Sequence, residues 1–260
     1  MRWPLRNRTM TAIAIVGVAL LVNGGTARSW GAPPTTGSAP QAPVDTSALP
    51  AAPPGSFAGL EARVQQAAAD AARSGADITA VVLDRNTGQT ASTGANQSFP
   101  IASVVKLFIA DDLLLQEAEG KTTLSAADRT SLDAMLRSSD DSAAQNFWDR
   151  SGGNAVIARI KARYGLAGTT APYNGHWDVT TSTAGDLVRY YDMLLNGSGG
   201  LPPQQASIIM SNLAQSTPTG NDGYPQRFGI PEGLYAEPVA VKQGWFCCWS
   251  GPTSYTCPPA

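Results

Sequence analysis

The chain has 260 residues, of which 43% are hydrophobic, and is long enough to bury a substantial core. Only 15% of its residues are charged and its net charge is -2, so it has no basic field for nucleic acid. It has one histidine, His176, and its three cysteines crowd together at Cys247, Cys248 and Cys257. This is not the spacing of a zinc site, and we expect neither a metal nor a cofactor.

The first 56 residues are predicted to lie outside the folded domain. Residues 1–27 have the pattern of an export signal, because three arginines precede an apolar run over residues 11–22 and small residues follow it. That run is too short to span a bilayer comfortably, and no cysteine follows it to accept a lipid. Residues 28–56 are rich in Pro, Ala, Ser and Thr, which predicts an extended linker. We therefore expect an exported protein, secreted or associated with the cell envelope, and a membrane tether only if the signal stays uncleaved.

Residues 57–246 have the pattern of a folded domain. Apolar residues at helical spacing predict a first helix that stops at Gly75. β-branched residues on both sides of the turn at Asn86–Gly88 predict a β-hairpin. The apolar run Phe99–Leu115 predicts a buried helix, further helices follow from Ser125 onward, and Pro238–Trp245 is predicted to be a strand.

The buried helix carries a serine and a lysine three residues apart, Ser103 and Lys106, on one helical face. A desolvated lysine has a lowered pKa, and a neutral amine beside a serine can take the proton that makes the hydroxyl nucleophilic. The alternative is structural: Ser103 caps the helix and Lys106 extends its ammonium group to solvent. Of the four lysines in the chain, only Lys106 has a serine three residues before it.

Two further short blocks follow in order, SDD at 139–141 and KQG at 242–244. With SVVK at 103–106 they resemble the S-x-x-K, S-D-N and K-T-G motifs of the penicillin-recognising serine hydrolases, which are the class A β-lactamases and the low-molecular-weight penicillin-binding proteins. Over about residues 57–245 the chain is similar in particular to the alanine-rich exported β-lactamase-like proteins of mycobacteria. The resemblance implies an α+β fold, in which a mostly antiparallel sheet is flanked by helices and by an all-helical region.

The resemblance also implies four catalytic residues. Ser103 would attack a strained or activated carbonyl, and Lys106 would take its proton as general base. Ser139 would pass a proton to the leaving nitrogen, assisted by the charge of Lys242. Each of the two later blocks also has a structural alternative, since serines and aspartates cap helices and K-x-G is common on edge strands.

Four other residues would contact the substrate. Asp141 stands at the third position of the SDD block. Gln243 stands at the second position of the KQG block. Gly244 would leave room for a peptide-like substrate, and the backbone N–H of Trp245 would form an oxyanion hole together with that of Ser103.

Three departures from the motifs bear on activity. An ionised Asp141 can only accept hydrogen bonds, whereas the asparagine of the motif donates one, and Gln243 replaces a threonine hydroxyl. Class A β-lactamases activate the deacylating water with a loop glutamate, but this chain has no glutamate between Glu119 and Glu232. Asp178 is the only acid in that loop, and we expect it to pin the loop. An acyl-enzyme at Ser103 should therefore persist.

We expect a weakly active serine hydrolase that forms acyl-enzymes with β-lactams or cell-wall peptides, so its partner is a small-molecule or peptide substrate. The alternative is a catalytically silent domain that binds cell-wall peptide or a protein through the same groove. A Ser-His-Asp hydrolase is disfavoured by the single histidine and by the lack of G-x-S-x-G.

The end of the chain, residues 247–260, contains every cysteine and no helical or strand period. In the resembling family, further strands and a terminal helix follow the K-T-G strand. We expect these last elements to be missing here, replaced through a frameshift or a truncation.

Overall fold

The computed structural model describes residues 57–234 and 238–245. The predicted export signal and linker, and the tail over 247–260, lie outside these residues. The described part has an α+β architecture rich in helices, with short antiparallel strands, so the predicted fold class is confirmed.

The helices of the described part are α1 (Phe57–Arg73), α2 (Lys106–Ala118), α3 (Ala126–Arg137), α4 (Asp141–Arg150), α5 (Ala155–Tyr164), α6 (Ala184–Asn196), α7 (Pro203–Ala214) and α8 (Ile230–Gly233). Its strands are β1 (Ala80–Leu83), β2 (Thr90–Thr93), β3 (Ser98–Pro100) and β4 (Thr181–Thr183), and 3-10 turns cover Ala102–Val105 and Trp177–Val179. Among these helices there is none whose length and apolarity would suffice to cross a bilayer.

The predicted first helix and hairpin are both present. Strands β1 and β2 pair antiparallel, with Leu83 opposite Thr90, and the turn between them is closed by Asp84, whose carboxylate accepts hydrogen bonds from Asn86 and Thr87. Helix α1 contacts the hairpin through Gln65, whose amide donates to the Ser92 carbonyl at 2.8 Å.

A second small sheet brings together two distant parts of the chain. Strand β3 pairs antiparallel with β4, and Phe99 lies opposite Ser182. The pairing continues past the strand end, since the Ile101 N–H donates to the Thr180 carbonyl at 2.9 Å. The residues just before the S-x-x-K block are therefore fixed against the loop that precedes α6.

Helix α2 lies at the centre of the main hydrophobic core, and residues from Lys106 to Leu114 are all buried. Besides Lys106, two of these residues are charged. Asp112 is paired with Arg159 through contacts of 2.6 and 2.7 Å, while Asp111 accepts hydrogen bonds from Arg163 and Tyr164. Burying these carboxylates is tolerable because each one has a cationic partner.

The predicted strand over Pro238–Trp245 is wrong, because these residues have no strand in the structure. They are attached by separate contacts: the Val241 N–H donates to the Leu213 carbonyl at 3.3 Å, and the Gln243 amide donates to the Gln226 carbonyl at 2.6 Å. A strand needs a continuous ladder of backbone hydrogen bonds, and these contacts to α7 and to the loop after it do not form one.

Candidate active site

The turn that carries Ser103 is conformationally strained. Ala102, just before it, has φ +45°, in the left-handed region that costs an L-residue about 1–2 kcal/mol. The pairing of β3 with β4 fixes the chain on one side of Ala102, and helix α2 fixes it on the other. Ser103 itself is 7% exposed, so its hydroxyl lies in a protected position at the N-terminal end of α2.

Lys106 is fully buried, and its ammonium group lies among four oxygen atoms. Nζ is 2.9 Å from Ser103 Oγ, 2.7 Å from the Ser139 carbonyl, 2.9 Å from Ser139 Oγ and 2.5 Å from Asp141 Oδ1. It also lies 4.8 Å from the centre of the Trp177 ring. The structural alternative for this pair is excluded, because Lys106 does not extend to solvent and Ser103 makes no capping hydrogen bond to α2.

Opposing influences act on the pKa of Lys106. Burial lowers it, and this is the largest influence, whereas the carboxylate of Asp141 raises it and the charges of Asp140 and Asp222 add to that effect. The net effect is a pKa below the ordinary lysine value, the direction that a general base requires.

Ser139 lies between two lysines. It occupies the junction of α3 and α4 with φ +58°, is 5% exposed, and its Oγ is 2.9 Å from Lys106 Nζ and 3.0 Å from Lys242 Nζ. Asp140 next to it accepts a hydrogen bond from the Ala143 N–H at 2.8 Å and caps α4. The SDD block therefore contains a helix cap at Asp140, as the structural alternative predicts, while Ser139 and Asp141 on either side of it contact Lys106 and their catalytic role stays a prediction.

Lys242 is 6% exposed, and its Nζ donates to Ser139 Oγ and, at 2.9 Å, to the Gln243 carbonyl. Its pKa is lowered well below the ordinary value, chiefly by burial and next by the positive charge of Lys106. The structure thus brings the first, second and third blocks into contact through a single hydroxyl.

Gly244 packs against the turn that carries Ser103. A Cβ atom there would lie 2.7 Å from the Ile101 carbonyl oxygen and 3.0 Å from the Ser103 nitrogen. Such contacts would force the backbone apart, so glycine is required for this close approach. The structure thus gives a reason for this glycine within the protein itself, and its expected role in leaving room for a substrate stays a prediction.

The side chain of Gln243 is not part of this cluster. It is buried and donates to the Gln226 carbonyl, and it borders a separate pocket that is also lined by Leu213, Arg227 and Val241. Its amide N–H is therefore used within the protein, and its expected contact with a substrate carboxylate stays a prediction.

Trp245 belongs to an aromatic cluster beside the two lysines. Its ring stacks on Tyr224 with centroids 5.2 Å apart, Phe228 approaches it edge-on, and its indole N–H donates to Asp222 at 3.1 Å. The Lys242 ammonium lies 6.0 Å from the Trp245 ring centre.

Sequence reasoning missed several residues near the lysines, namely Trp177, Asp222, Tyr224 and Phe228. Three of them lie in an irregular loop after α7, where no period or motif marks them. Trp177 directly precedes the D-V-T-T segment, and this position was a sequence feature that could have indicated it.

Asp178 was expected to pin the loop before α6, but it makes no hydrogen bond or ion pair within the described part of the chain. Other groups fix that loop. The Trp148 indole donates to the Gly175 carbonyl at 3.0 Å, and the Asn154 amide donates to the Pro172 carbonyl at 3.0 Å.

The cluster consists of hydroxyl, amine and carboxylate groups suited to proton transfer and nucleophilic attack. Across residues 57–234 and 238–245, no group of three or more His, Cys, Asp or Glu side chains is arranged to hold a metal ion.

A serine and a lysine lie at the start of a buried helix, with a second serine and a second lysine against them, and this arrangement resembles that of the penicillin-recognising serine hydrolases. Residues 59–130 match the Beta-lactamase enzyme family. The fold is that of class A β-lactamases, so the resemblance drawn from the three blocks is confirmed.

Among individual proteins, the chain is 62% identical over 200 residues to "Putative lipoprotein LppW" of Mycobacterium tuberculosis and of Mycobacterium bovis. The match covers 76% of this chain and 64% of each relative, so the chain spans less than two thirds of their length.

Solved structures support the fold alone. A β-lactamase from Sphaerobacter thermophilus is 18% identical, with a TM-score of 0.52 over 59% of this chain and 69% of that one. A β-lactamase from Xanthomonas campestris is 17% identical, with a TM-score of 0.52 over 60% of this chain and 70% of that one. A mutant of PBP-A, solved as an acyl-enzyme complex with penicillin G, is 18% identical with a TM-score of 0.50 over 62% of this chain and 70% of that one.

Proposed function

We propose that this protein is an exported serine hydrolase that forms an acyl-enzyme at Ser103 with β-lactams or cell-wall peptides. The observation that carries the proposal is the fully buried Lys106, whose Nζ lies 2.9 Å from Ser103 Oγ. A buried amine at hydrogen-bond distance from a protected hydroxyl is the arrangement that activates a serine nucleophile.

In the proposed acylation, neutral Lys106 takes the proton from Ser103 Oγ while that oxygen attacks the carbonyl carbon. The negative charge on the carbonyl oxygen is stabilised by the backbone N–H groups of Ser103 and Trp245. As the carbon–nitrogen bond breaks, Ser139 gives its proton to the leaving nitrogen and is reprotonated by one of the two lysines at 2.9 and 3.0 Å.

Deacylation is proposed to be slow. The loop before α6 offers no glutamate, and Asp178 is the one acidic side chain it contains. Without a base to activate water, the ester at Ser103 has no efficient route to hydrolysis. The protein would then behave more like a penicillin-binding protein than like a rapidly turning-over β-lactamase.

Export is supported by two independent features. The first 27 residues have the composition of an export signal, and the relatives from M. tuberculosis and M. bovis carry the name of a lipoprotein. A cell-envelope location would put the site where β-lactams and cell-wall peptides occur.

The test is covalent labelling with a fluorescent penicillin, followed by mass spectrometry of the intact chain. We expect one adduct per chain that is lost in Ser103→Ala and strongly slowed in Lys106→Met. Ser142→Ala is the matched control, since Ser142 is an exposed serine on α4 and should label like the wild type. Labelling that persists in Ser103→Ala would refute the proposal.

The alternative, a silent binding domain, is favoured by one observation: the Gln243 amide, at a position where the motif has a threonine hydroxyl, donates to the Gln226 carbonyl at 2.6 Å within the protein. It predicts no adduct at saturating penicillin, together with measurable binding of cell-wall peptide by calorimetry. Adduct formation at Ser103 would exclude it.

A further inference from the structure

Two buried lysines share one hydroxyl group in this site. Lys106 Nζ lies 2.9 Å and Lys242 Nζ 3.0 Å from Ser139 Oγ, and the two residues are 0% and 6% exposed. Two ammonium ions this close and this far from water repel each other strongly. The arrangement therefore favours one positive charge on the pair.

The surroundings of the two amines differ. Lys106 contacts the carboxylate of Asp141 at 2.5 Å, whereas the hydrogen bonds of Lys242 go to uncharged oxygens, those of Ser139 and Gln243. The Asp141 carboxylate also favours the charged form of Lys242, but from beyond ion-pair distance, and the Trp245 ring centre lies 6.0 Å from the Lys242 ammonium. The other charged groups near Lys106 are the carboxylates of Asp140 and Asp222, which also favour its charged form, and Lys242, which opposes it. From the remaining side, the face of the Trp177 ring attracts a cation.

Asp141 is thus the group that distinguishes the two lysines, and it stands where the resembling hydrolases carry an uncharged asparagine. Its side chain is 70% exposed, but its carboxylate reaches inward to the fully buried amine. The helix cap at this junction is made by Asp140, so the carboxylate of Asp141 is not needed to start α4.

We propose that Asp141 places the single positive charge of the lysine pair on Lys106 and leaves Lys242 as the neutral amine in the free protein. The effect on catalysis rests on the function proposed above, whereas the assignment of the charge does not. Asp141 is then a positioning residue that acts through Lys106, and not a substrate ligand.

This assignment adds a step before nucleophilic attack. A charged Lys106 cannot accept the proton of Ser103, so it must first lose its own. The N–H bond of Lys106 breaks and an O–H bond forms at Ser139, while the original Ser139 proton moves to the lone pair of Lys242 Nζ. The charge thereby moves from Lys106 to Lys242, away from the carboxylate of Asp141, and Asp141 opposes the step.

The charge can be located by ¹⁵N NMR of the lysine amines in the full chain. Only four lysines are present, so Lys121→Arg with Lys161→Arg leaves the signals of Lys106 and Lys242, and Lys106→Met assigns them. We expect the Lys242 ammonium to lose its proton at lower pH than that of Lys106. In Asp141→Asn, the Lys106 midpoint should fall by about 1–3 pH units while that of Lys242 rises.

Asp141→Glu keeps the carboxylate and should preserve the wild-type order of the two midpoints. A loss of local structure would not move the two midpoints in opposite directions, so the paired shift identifies the charge effect. The inference is overturned if Lys106 loses its proton before Lys242 in the wild type, or if Asp141→Asn moves neither midpoint.

Penicillin labelling against pH separates this inference from the proposed function. Acylation requires neutral Lys106, so its rate should rise with pH, and Asp141→Asn should move that rise to lower pH. If the midpoints shift but no variant is labelled, the charge assignment stands and the hydrolase proposal fails. If labelling occurs but the midpoints do not respond to Asp141→Asn, the hydrolase proposal stands and this inference fails.

Discussion

The two sides of the candidate site are held in place differently. The side of Ser103 and Lys106 lies on a helix buried within the main core, and it is anchored by paired charges at Asp111 and Asp112. The side of Lys242 lies on a segment without regular structure, anchored by single hydrogen bonds to α7 and to the loop after it.

The residues proposed for nucleophilic attack therefore lie on one side of the site, and the residues proposed to contact a substrate lie on the other. The groups needed for nucleophilic attack lie on the rigid side and keep the S-x-x-K pattern. The side that would bind a substrate differs from the pattern at Gln243, which is turned away, and carries the bulky Trp245 directly after Gly244. Under the proposed function, the nucleophile pattern is kept while the residues that would contact the substrate differ from the motif.

The largest effect is expected from Asp111→Ala, which removes the carboxylate at the centre of the rigid side. Arg163, Tyr164 and Tyr190 all donate to Asp111, so its loss leaves buried donors unpaired. We expect unfolding to become easier by about 3–5 kcal/mol, measured by urea denaturation. The matched control is Asp192→Ala, which breaks an ion pair with Arg85 that is open to solvent and should cost about 0–1 kcal/mol. Equal losses in both variants would show that the rigid side is not anchored at Asp111.

The next effect concerns the contact between the two sides. In Gly244→Ala the new methyl group would lie 2.7 Å from the Ile101 carbonyl, so the segment of Lys242 must move away from Ser103. A displacement of about 1 Å is expected to slow penicillin labelling about 100-fold, with a smaller change in stability. Gly233→Ala is the control, because a methyl group there meets nothing within 4 Å. Unchanged labelling of Gly244→Ala would show that the two sides need not touch.

Several elements of the fold and part of the candidate site were predictable from local sequence patterns. Helix starts were found where capping residues mark them, as at Ser125, whose side chain forms a capping box with Asp128. The closeness of Ser103 and Lys106 followed from their spacing, since residues three apart share a helical face, whereas their catalytic interpretation needed the resemblance of all three blocks. The hairpin at Asn86–Gly88 followed from its turn chemistry.

What could not be predicted depends on contacts between distant segments. The run Phe99–Leu115 was interpreted as apolar, yet Asp111 and Asp112 are buried in it because Arg163 and Arg159 approach from α5. Pro238–Trp245 has the composition of a strand, but whether a strand forms depends on a pairing partner. The contact of Asp141 with Lys106 likewise depends on how α2 meets the α3–α4 junction.

A smaller effect should follow from Trp245→Leu, which removes the ring that stacks on Tyr224 on the side of Lys242. Ring pairs of this kind contribute about 0.5–1.5 kcal/mol beyond the area they bury. We expect faster amide hydrogen exchange over residues 219–245 and little change in α2, measured by mass spectrometry. Faster exchange in α2 as well would mean that the two sides are stabilised together.

The last expected effect is on the pH dependence of stability. Burial lowers the folded-state pKa of Lys242, so the unfolded chain binds more protons than the folded one between that pKa and the ordinary lysine value of about 10.4. The free energy of unfolding should therefore rise with pH in this window. The protonated form of Lys242 opposes folding, and this unfavourable contribution disappears as the amine loses its proton. Urea denaturation at pH 7 and at about pH 9.5, below the ionisation of the tyrosines, should show a smaller rise in Lys242→Met than in the wild type. Lys121→Met is the control, because Lys121 is 65% exposed at its side chain and should leave the rise unchanged. An equal rise in the wild type and in Lys242→Met would mean that burial of this amine is not what opposes its charge.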